Sequence, residues 1–391
     1  TWRAIRPRLV VEAAFAASAV ALAAAMAGTV PAAHDVVSWW LPFRFSLRAT
    51  WSLPGVAERV IAGGVVLSVY ASVAAGRLWR GDLRQGAIVA AAGVAFAAAL
   101  GLPPLGVRAY PSTYWTPAVA FDAVSVANGR NLFRSHCVSC HGLAGRGDGP
   151  LAGTLPKPPA NLSEPHTADH TAGDIFWWLT YGMPESGMQA FDLLSPDERW
   201  DLINYLRAFA AGYQARILSA RVSPGQPWLG AVDFAFTTTT GETGLLRDFR
   251  ERSAVLLVLF SPRESAARLA ELGKGERALR SAGAEILAVP IRPVEEESAA
   301  LPSLRTVAAE APEIVATYVL FRRTFADPGN DSDDDVPAHL ELLIDRFGYV
   351  RARWRPDHGE KGWDDLGLPL EQVRILAAEP QLRPPPEDHV H

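Results

Sequence analysis

The chain's two cysteines, Cys137 and Cys140, both fall in one short run, Cys137-Val138-Ser139-Cys140-His141. Nothing else in the sequence constrains the fold as tightly. Two thiols separated by two residues can both reach one edge of a porphyrin and bond to its vinyl groups. The histidine that follows at once can swing beneath the ring and ligate the iron. A zinc site would need a second ligand pair at comparable spacing, and the sequence has none. A redox C-x-x-C of the thioredoxin kind follows a strand and opens a helix. Here a helical segment precedes the motif and a Gly-rich loop follows it. The spacing therefore predicts one covalently held haem c, attached at Cys137 and Cys140, with His141 as the proximal ligand.

A second axial ligand is needed, and the chain has three methionines. Met26 lies in an apolar run far upstream. Met183 and Met188 lie in a Gly/Pro-rich loop downstream of the motif, Tyr181-Gly182-Met183-Pro184-Glu185-Ser186-Gly187-Met188-Gln189-Ala190-Phe191. A loop suits a distal ligand, which must carry its thioether over the far face of the ring. A soft thioether favours Fe(II) and raises the potential. We expect Met188 to ligate and Met183 to pack against the haem edge.

The flanking residues carry a resemblance. Asn128–Phe133 before the motif, Gly142–Pro150 after it, Met188-Gln189-Ala190-Phe191 and the run Ser195–Leu206 resemble a class I cytochrome c over about residues 121–211. The resemblance implies an all-α domain in which Gly129 lets the first helix cross the last one closely, against Tyr205. It also implies that a carbonyl near Pro150 accepts a hydrogen bond from the proximal histidine. The family's usual text at the distal ligand is Met-Pro; here Gln189 stands in the proline's place. The last helix reads independently of any family. Ser195 caps it, Pro196 fits the first turn and Glu198 completes a capping box. Trp200, Ile203, Leu206 and Phe209 share one face and belong to the core. Trp177-Trp178 either line the haem crevice or fill a core. Asp148, Asp174 and Glu185 read as solvated loop carboxylates.

The chain is long enough for two or three domains. Its net charge is −5 with 20% charged residues, and no basic tail points to nucleic acid. Those averages conceal a split, because residues 1–107 are rich in Ala, Val, Leu and Gly with few charges. Three apolar segments stand out there: Leu9–Val30, Val60–Ala75 and the charge-free stretch 85–107. Each approaches the roughly 20 residues that span a bilayer. Arg3, Arg6 and Arg8 precede the first, and Arg77, Arg80 and Arg84 separate the second from the third. Placing both groups in the cytoplasm puts everything after residue 108 outside, in the periplasm of a bacterial inner membrane. The first segment has an alternative reading as a cleaved signal, ending near Val30-Pro31-Ala32-Ala33.

Residues 31–116 carry a second resemblance. Trp40–Ser46, Ala49–Val56 and Tyr110–Tyr114 resemble the C-terminal part of a CopD-type copper-resistance membrane protein, a family in which a fused c-type cytochrome occurs. It implies copper as a partner. The candidate ligands are His34 and Met26, which are too few for a site, and His34 reads as a solvated loop residue.

After a linker-like break at Ser223–Trp228, strand and helix signals alternate: strands at Ala254–Ser261, Glu285–Pro290, His339–Asp345 and Tyr349–Trp354, and a helix at Arg263–Ala282. Asn330–Asp335 lacks the spacing of a calcium loop and reads as a solvated turn. Leu256–Ser265, Val336-Pro337 and Leu342–Tyr349 resemble the thioredoxin/peroxiredoxin-like fold. That family places a redox cysteine near 261–265 and a cis-proline that would match Pro337. This region has no cysteine, which excludes thiol–disulfide chemistry there. Ser265 marks the lost position. Glu387–His391 reads as a disordered tail.

The expected architecture is thus multidomain: an α-helical membrane segment (1–107), a linker (108–120), an all-α cytochrome c domain (121–211), an α/β thioredoxin-like domain (223–378) and a tail (379–391). The leading functional reading is a membrane-anchored electron carrier with no substrate-turnover site, whose partners are membrane lipid and redox proteins. The alternative is a copper-handling membrane protein in which the haem and thioredoxin-like domains assist copper transfer. A third reading makes the last domain a platform for oxidase assembly.

Overall fold

The computed structural model describes residues 38–164, 170–223, 225, 227–292, 304–324, 336–358, 363–384 and 386. The expected first span with Met26, the loop residue His34, the acidic run 330–335 and the tail residues 387–391 lie outside the described residues.

The membrane-like part is a helical hairpin capped by two short strands. Strand β1 (Phe43–Phe45) is followed by α1 (Val56–Trp79) and α2 (Leu83–Gly101), then by β2 (Gly106–Arg108), which pairs antiparallel with β1. Val56–Trp79 and Leu83–Leu105 are long and apolar enough to cross a bilayer. Small residues seat the two helices on each other. A Cβ on Gly63 would lie 3.0 Å from the Ala97 carbonyl, and one on Gly93 would strike the Tyr70 ring. Without side chains at these positions the backbones approach closely, as in membrane helix pairs. Ile61, Val65, Val69, Ile88 and Val94 meanwhile stay exposed.

The second unit is helical. Helix α3 (Ala123–His136), capped by Asp122, leads into the short turn α4 (Val138–His141). Helices α5 (Ala172–Tyr181) and α6 (Pro196–Gln214) follow, each opened by a capping box, Thr171/Asp174 and Ser195/Glu198. The box at Ser195 is the one the sequence predicts. Trp200, Ile203, Leu206 and Phe209 are all buried, also as expected.

The third unit is built on two sheets. The smaller has the order β4-β3-β7, from β3 (Ala235–Thr238), β4 (Thr243–Leu245) and β7 (Val307–Ala309). The larger contains β5 (Ala254–Phe260), β6 (Ala284–Pro290), β8 (His339–Ile344) and β9 (Val350–Trp354) in the order β6-β5-β8-β9. β5 and β6 are parallel and joined through helix α7 (Ala266–Ala282); β8 and β9 continue the sheet antiparallel. β5 is a continuous apolar run, Ala254-Val255-Leu256-Leu257-Val258-Leu259-Phe260, buried along its whole length, as a strand covered on both faces must be. Helix α8 (Ala311–Tyr318) faces the second unit, and α9 (Gly367–Ala378) packs on α7. This β-α-β then β-β-α order is the one the thioredoxin-like resemblance implies. The peptide before Pro337 is trans, as are all peptide bonds among the described residues. The cis-proline expectation is therefore not met, and Pro337 takes the form an X–Pro bond prefers in the absence of other constraints.

The helical and α/β units share a single core. One buried cluster runs from Val126, Phe133 and Phe209 to Tyr318, Leu257 and Leu342 without a break. Polar contacts tie the same seam. Ala123 N donates to the Asp233 carbonyl, Tyr318 Oη donates to the Val232 carbonyl at 2.6 Å, and Thr317 Oγ1 donates to the Ala123 carbonyl. A Cβ on Gly212 of α6 would collide with the Leu320 carbonyl, so only glycine admits this approach. Arg353, almost fully buried, caps carbonyls on both sides of the seam: Ala215, Leu218 and Arg323.

Candidate haem-binding site

The Cys137–His141 run forms one tight turn at the C-terminal end of α3. The Cys137 carbonyl accepts the amides of both Cys140 (3.1 Å) and His141 (2.8 Å), so both thiols and the imidazole leave one turn of backbone. Both cysteines are free and half-buried. Gly142, at φ +74°, reverses the chain, a conformation natural to glycine. The following loop folds back on the motif: Gly147 N donates to His141 O, Gly149 N to Cys140 O and Leu151 N to Ser139 O. A Cβ on Gly149 would meet the Ser139 carbonyl at 2.5 Å, which explains why glycine stands there.

His141 Nδ1 lies 3.0 Å from the Ala160 carbonyl. A carbonyl can only accept, so Nδ1 carries the proton and Nε2 keeps a lone pair, the ligand form of imidazole. The sequence places the accepting carbonyl near Pro150. The structure instead brings the Ala160 carbonyl to the ring. Burial holds the His141 pKa below its usual value, partly offset by the Ala160 bond, and so favours the neutral ring. Burial, with Cys140 beside it, pushes the Cys137 thiol up to about 12. It is no thiolate nucleophile at neutral pH.

The crossing predicted at Gly129 is present. A Cβ there would lie 2.0 Å from the Asp201 carbonyl and 2.7 Å from Tyr205 Cβ. Phe133, one turn before the motif, packs against Tyr205 (5.3 Å) and Phe209 (6.2 Å). Met183 and Met188 face each other across a small hairpin, Met183 N donating to Met188 O at 2.8 Å and Met188 N to Met183 O at 3.2 Å. Gly182 and Gly187 take positive φ to close it. Both methionines are half-buried, and Met188 packs against the core cluster. The structure thus places the Cys137–His141 turn on α3 and the methionine pair on the α5–α6 connection, both in one unit.

The side chains around this turn suit a large flat apolar group. Leu132, Val138, Leu162, Trp178, Met188 and Phe191 are partly buried against the core. The Trp178 Nε1–H is shut from solvent without an acceptor. With two free thiols at C-x-x-C spacing and an imidazole held in its ligand form, the donor set is that of a covalent haem.

Several site features were not legible in sequence. Asp174 is not solvated: it is 2% exposed, accepts from Thr113 Oγ1 at 2.5 Å and from Arg44 at 3.3 Å, and closes the α5 capping box. Its partners come from the segment that leaves the membrane-like hairpin, more than 60 positions earlier, so no local pattern announces them. Asp201 accepts from Ser125 Oγ (2.6 Å) and Asn128 Nδ2 (3.2 Å), and Asn204 Nδ2 donates to Ser125 Oγ (2.9 Å). This network pins α3 to α6, and burial raises the Asp201 pKa, partly countered by those two bonds. Trp177 is half-buried and stacks on Tyr110 at 5.5 Å.

Ser265 stands at the start of α7, 2% exposed. His339 Nδ1 lies 2.9 Å from Ser265 Oγ, its Nε2 lies 2.9 Å from Glu341 Oε1, and Arg268 grips Glu341 through two bonds of 2.7 and 3.0 Å. The Trp354 ring covers Arg268 at 5.0 Å.

Residues 126–210 match the family model for cytochrome c. No curated protein matches the chain. Among solved structures, a thiol:disulfide interchange protein DsbE from Chlorobium tepidum is 21% identical, covering 40% of this chain and 99% of that one at a TM-score of 0.27. A thiol:disulfide interchange protein from Bacteroides sp. is 19% identical, covering 44% and 99% at 0.29. BsSco, a member of the Sco family of cytochrome c oxidase assembly proteins, is 14% identical, covering 40% and 99% at 0.29. The chain therefore contains a cytochrome c domain, and such a domain implies covalently bound haem.

Proposed function

We propose that this protein is a membrane-anchored, periplasmic single-electron carrier. Haem c would be held at Cys137 and Cys140, with His141 and Met188 as the axial pair. When bound, the haem supplies a reversible one-electron Fe(III)/Fe(II) couple. The observation that carries the reading is the His141–Ala160 hydrogen bond on the C-x-x-C-H turn. It fixes the imidazole with Nε2 available, within residues that match the cytochrome c family. The two long apolar helices support anchoring, and the Arg77, Arg80 and Arg84 cluster between them supports a cytoplasmic turn. The α/β unit brings no thiol to the chain. Its buried, fully paired Ser265 cluster supports a docking or structural role. We assign no substrate-turnover site and no copper site.

The test is a potentiometric titration of the purified full chain, followed through its haem absorbance. A single reversible one-electron wave is expected, together with iron and no stoichiometric copper on metal analysis. Stoichiometric copper would transfer the protein to the copper-handling class. A reporter fused after residue 211 should be active in the periplasm; activity confined to the cytoplasm would reverse the orientation.

A further inference from the structure

The helical and α/β units do not close completely on the segment that links them to the hairpin. A cleft of about 900 Å³ remains there, a size typical of small-molecule sites, which favour domain seams. No residue of the Cys137–His141 turn lines it. Its walls are residues 113–121, one side of α6 and residues 228–232. Tyr114, Trp115, Phe121 and Trp228 contribute aromatic rings, and Ile175 and Leu206 add aliphatic surface. The polar lining is Arg207, Gln214, His170 and several threonines; among the described residues no carboxylate lines the cleft. The exposed Arg207 holds its guanidinium 4.5 Å over the Phe121 ring, a cation laid flat on an aromatic wall. Such a lining favours a ligand with oxygen acceptors and disfavours an ammonium group. The wall of the cleft also contacts the segment that enters β1 of the hairpin. Tyr114 packs on Trp39 at 5.1 Å, and Trp39 N donates to the Pro111 carbonyl.

We propose that this cleft binds a planar lipophilic molecule bearing carbonyl oxygens, of the quinone class. Flat rings match aromatic walls better than flexible acyl chains do, and Arg207 and Gln214 offer donors to the carbonyls. The membrane reading matters here only for the ligand's source, since a quinone dissolves in the bilayer beside the cleft.

The experiment is photolabelling of the full haem-loaded chain in detergent micelles with an azido-quinone, read by peptide mapping. Saturable labelling should fall on the peptides carrying Tyr114–Phe121 and Arg207–Gln214. Decyl-ubiquinone should compete, and phosphatidylglycerol should not. Ala211→Trp, which fills the cleft, should abolish labelling there. Arg207→Gln, at an exposed position, should raise the competitor concentration needed by about ten-fold, the worth of one charge-assisted bond. Labelling confined to the helices of residues 56–101 would overturn the proposal. So would labelling unchanged in Ala211→Trp, or competition by the phospholipid alone. If Ala211→Trp does not fold, Arg207→Gln decides, and unchanged competition overturns the site. The readout needs no electron transfer, so its failure leaves the haem reading intact, and a failed haem reading leaves the labelling interpretable.

Discussion

The cytochrome turn and the Ser265 cluster both sit where a chain places reactive groups, at a helix end beside the core, yet they are built in opposite ways. At Cys137–His141 the backbone satisfies itself through the returning loop, and the thiols form no disulfide, Cys140 Sγ taking one long hydrogen bond from Ser139 Oγ at 3.9 Å. At Ser265 every chemistry-bearing side chain is spent on another: hydroxyl on imidazole, imidazole on carboxylate, carboxylate on guanidinium. The first arrangement keeps ligands available for a cofactor. The second is a buried charge lock, which costs desolvation and holds only while its partners remain.

Breaking the available side should have the largest effect. Cys137→Ala with Cys140→Ala should abolish haem that survives denaturation; covalent haem on that variant would mean attachment elsewhere. Next comes the distal ligand. Met188→Ala should remove the far-red charge-transfer band of the ferric protein and lower the potential, because Fe(II) loses a soft ligand. Met183→Ala should leave the band in place. Loss of the band in Met183→Ala alone would exchange the two roles.

On the locked side, Glu341→Gln removes the buried one of Arg268's two carboxylate partners, leaving Glu271, and should cost about 3 kcal/mol in denaturant unfolding. The lock also predicts a pH dependence. Burial alone would raise the Glu341 pKa, but hydrogen bonds and charge from His339 and Arg268 bring it below the usual value. A carboxyl depressed in the folded state stabilises above its unfolded pKa and loses that contribution as pH falls through the folded one. Stability should therefore hold at mildly acidic pH and decline only below the ordinary glutamate range, and Glu341→Gln should flatten that decline. The smallest effect belongs to Ser265→Ala, which removes two hydrogen bonds, one to His339 and one to the Ala338 carbonyl, and should cost about 1–2 kcal/mol. A loss several times larger would show that the hydroxyl anchors the whole cluster.

How much of this the sequence disclosed follows from how local each feature is. The apolar strand 254–260, the capping box at Ser195 and the C-x-x-C-H turn are contiguous patterns, and all three are where the sequence puts them. Gly129 was legible through family resemblance alone, since its partner lies some 70 positions away. Asp174, the Ala160 carbonyl and the Ser265–His339–Glu341 chain were not legible. Each is a contact between distant segments whose residue types are ordinary when read singly. The shared core was hidden for a related reason. The 223–228 break reads as a linker, but the chain crosses it and packs straight back on α6.

That shared core has a consequence for synthesis. Helix α6 emerges with one side complementary to α3 and the other to residues that have not yet been made. Until the segment around Leu320 arrives, Gly212 and the side of Phe209 that faces Arg323 have nothing to cover them. The cytochrome portion therefore cannot finish folding as a free-standing unit while the chain is being made. Haem attachment to the exposed turn and closure of the pocket behind it become separate events in time, the second waiting on the C-terminal third of the chain.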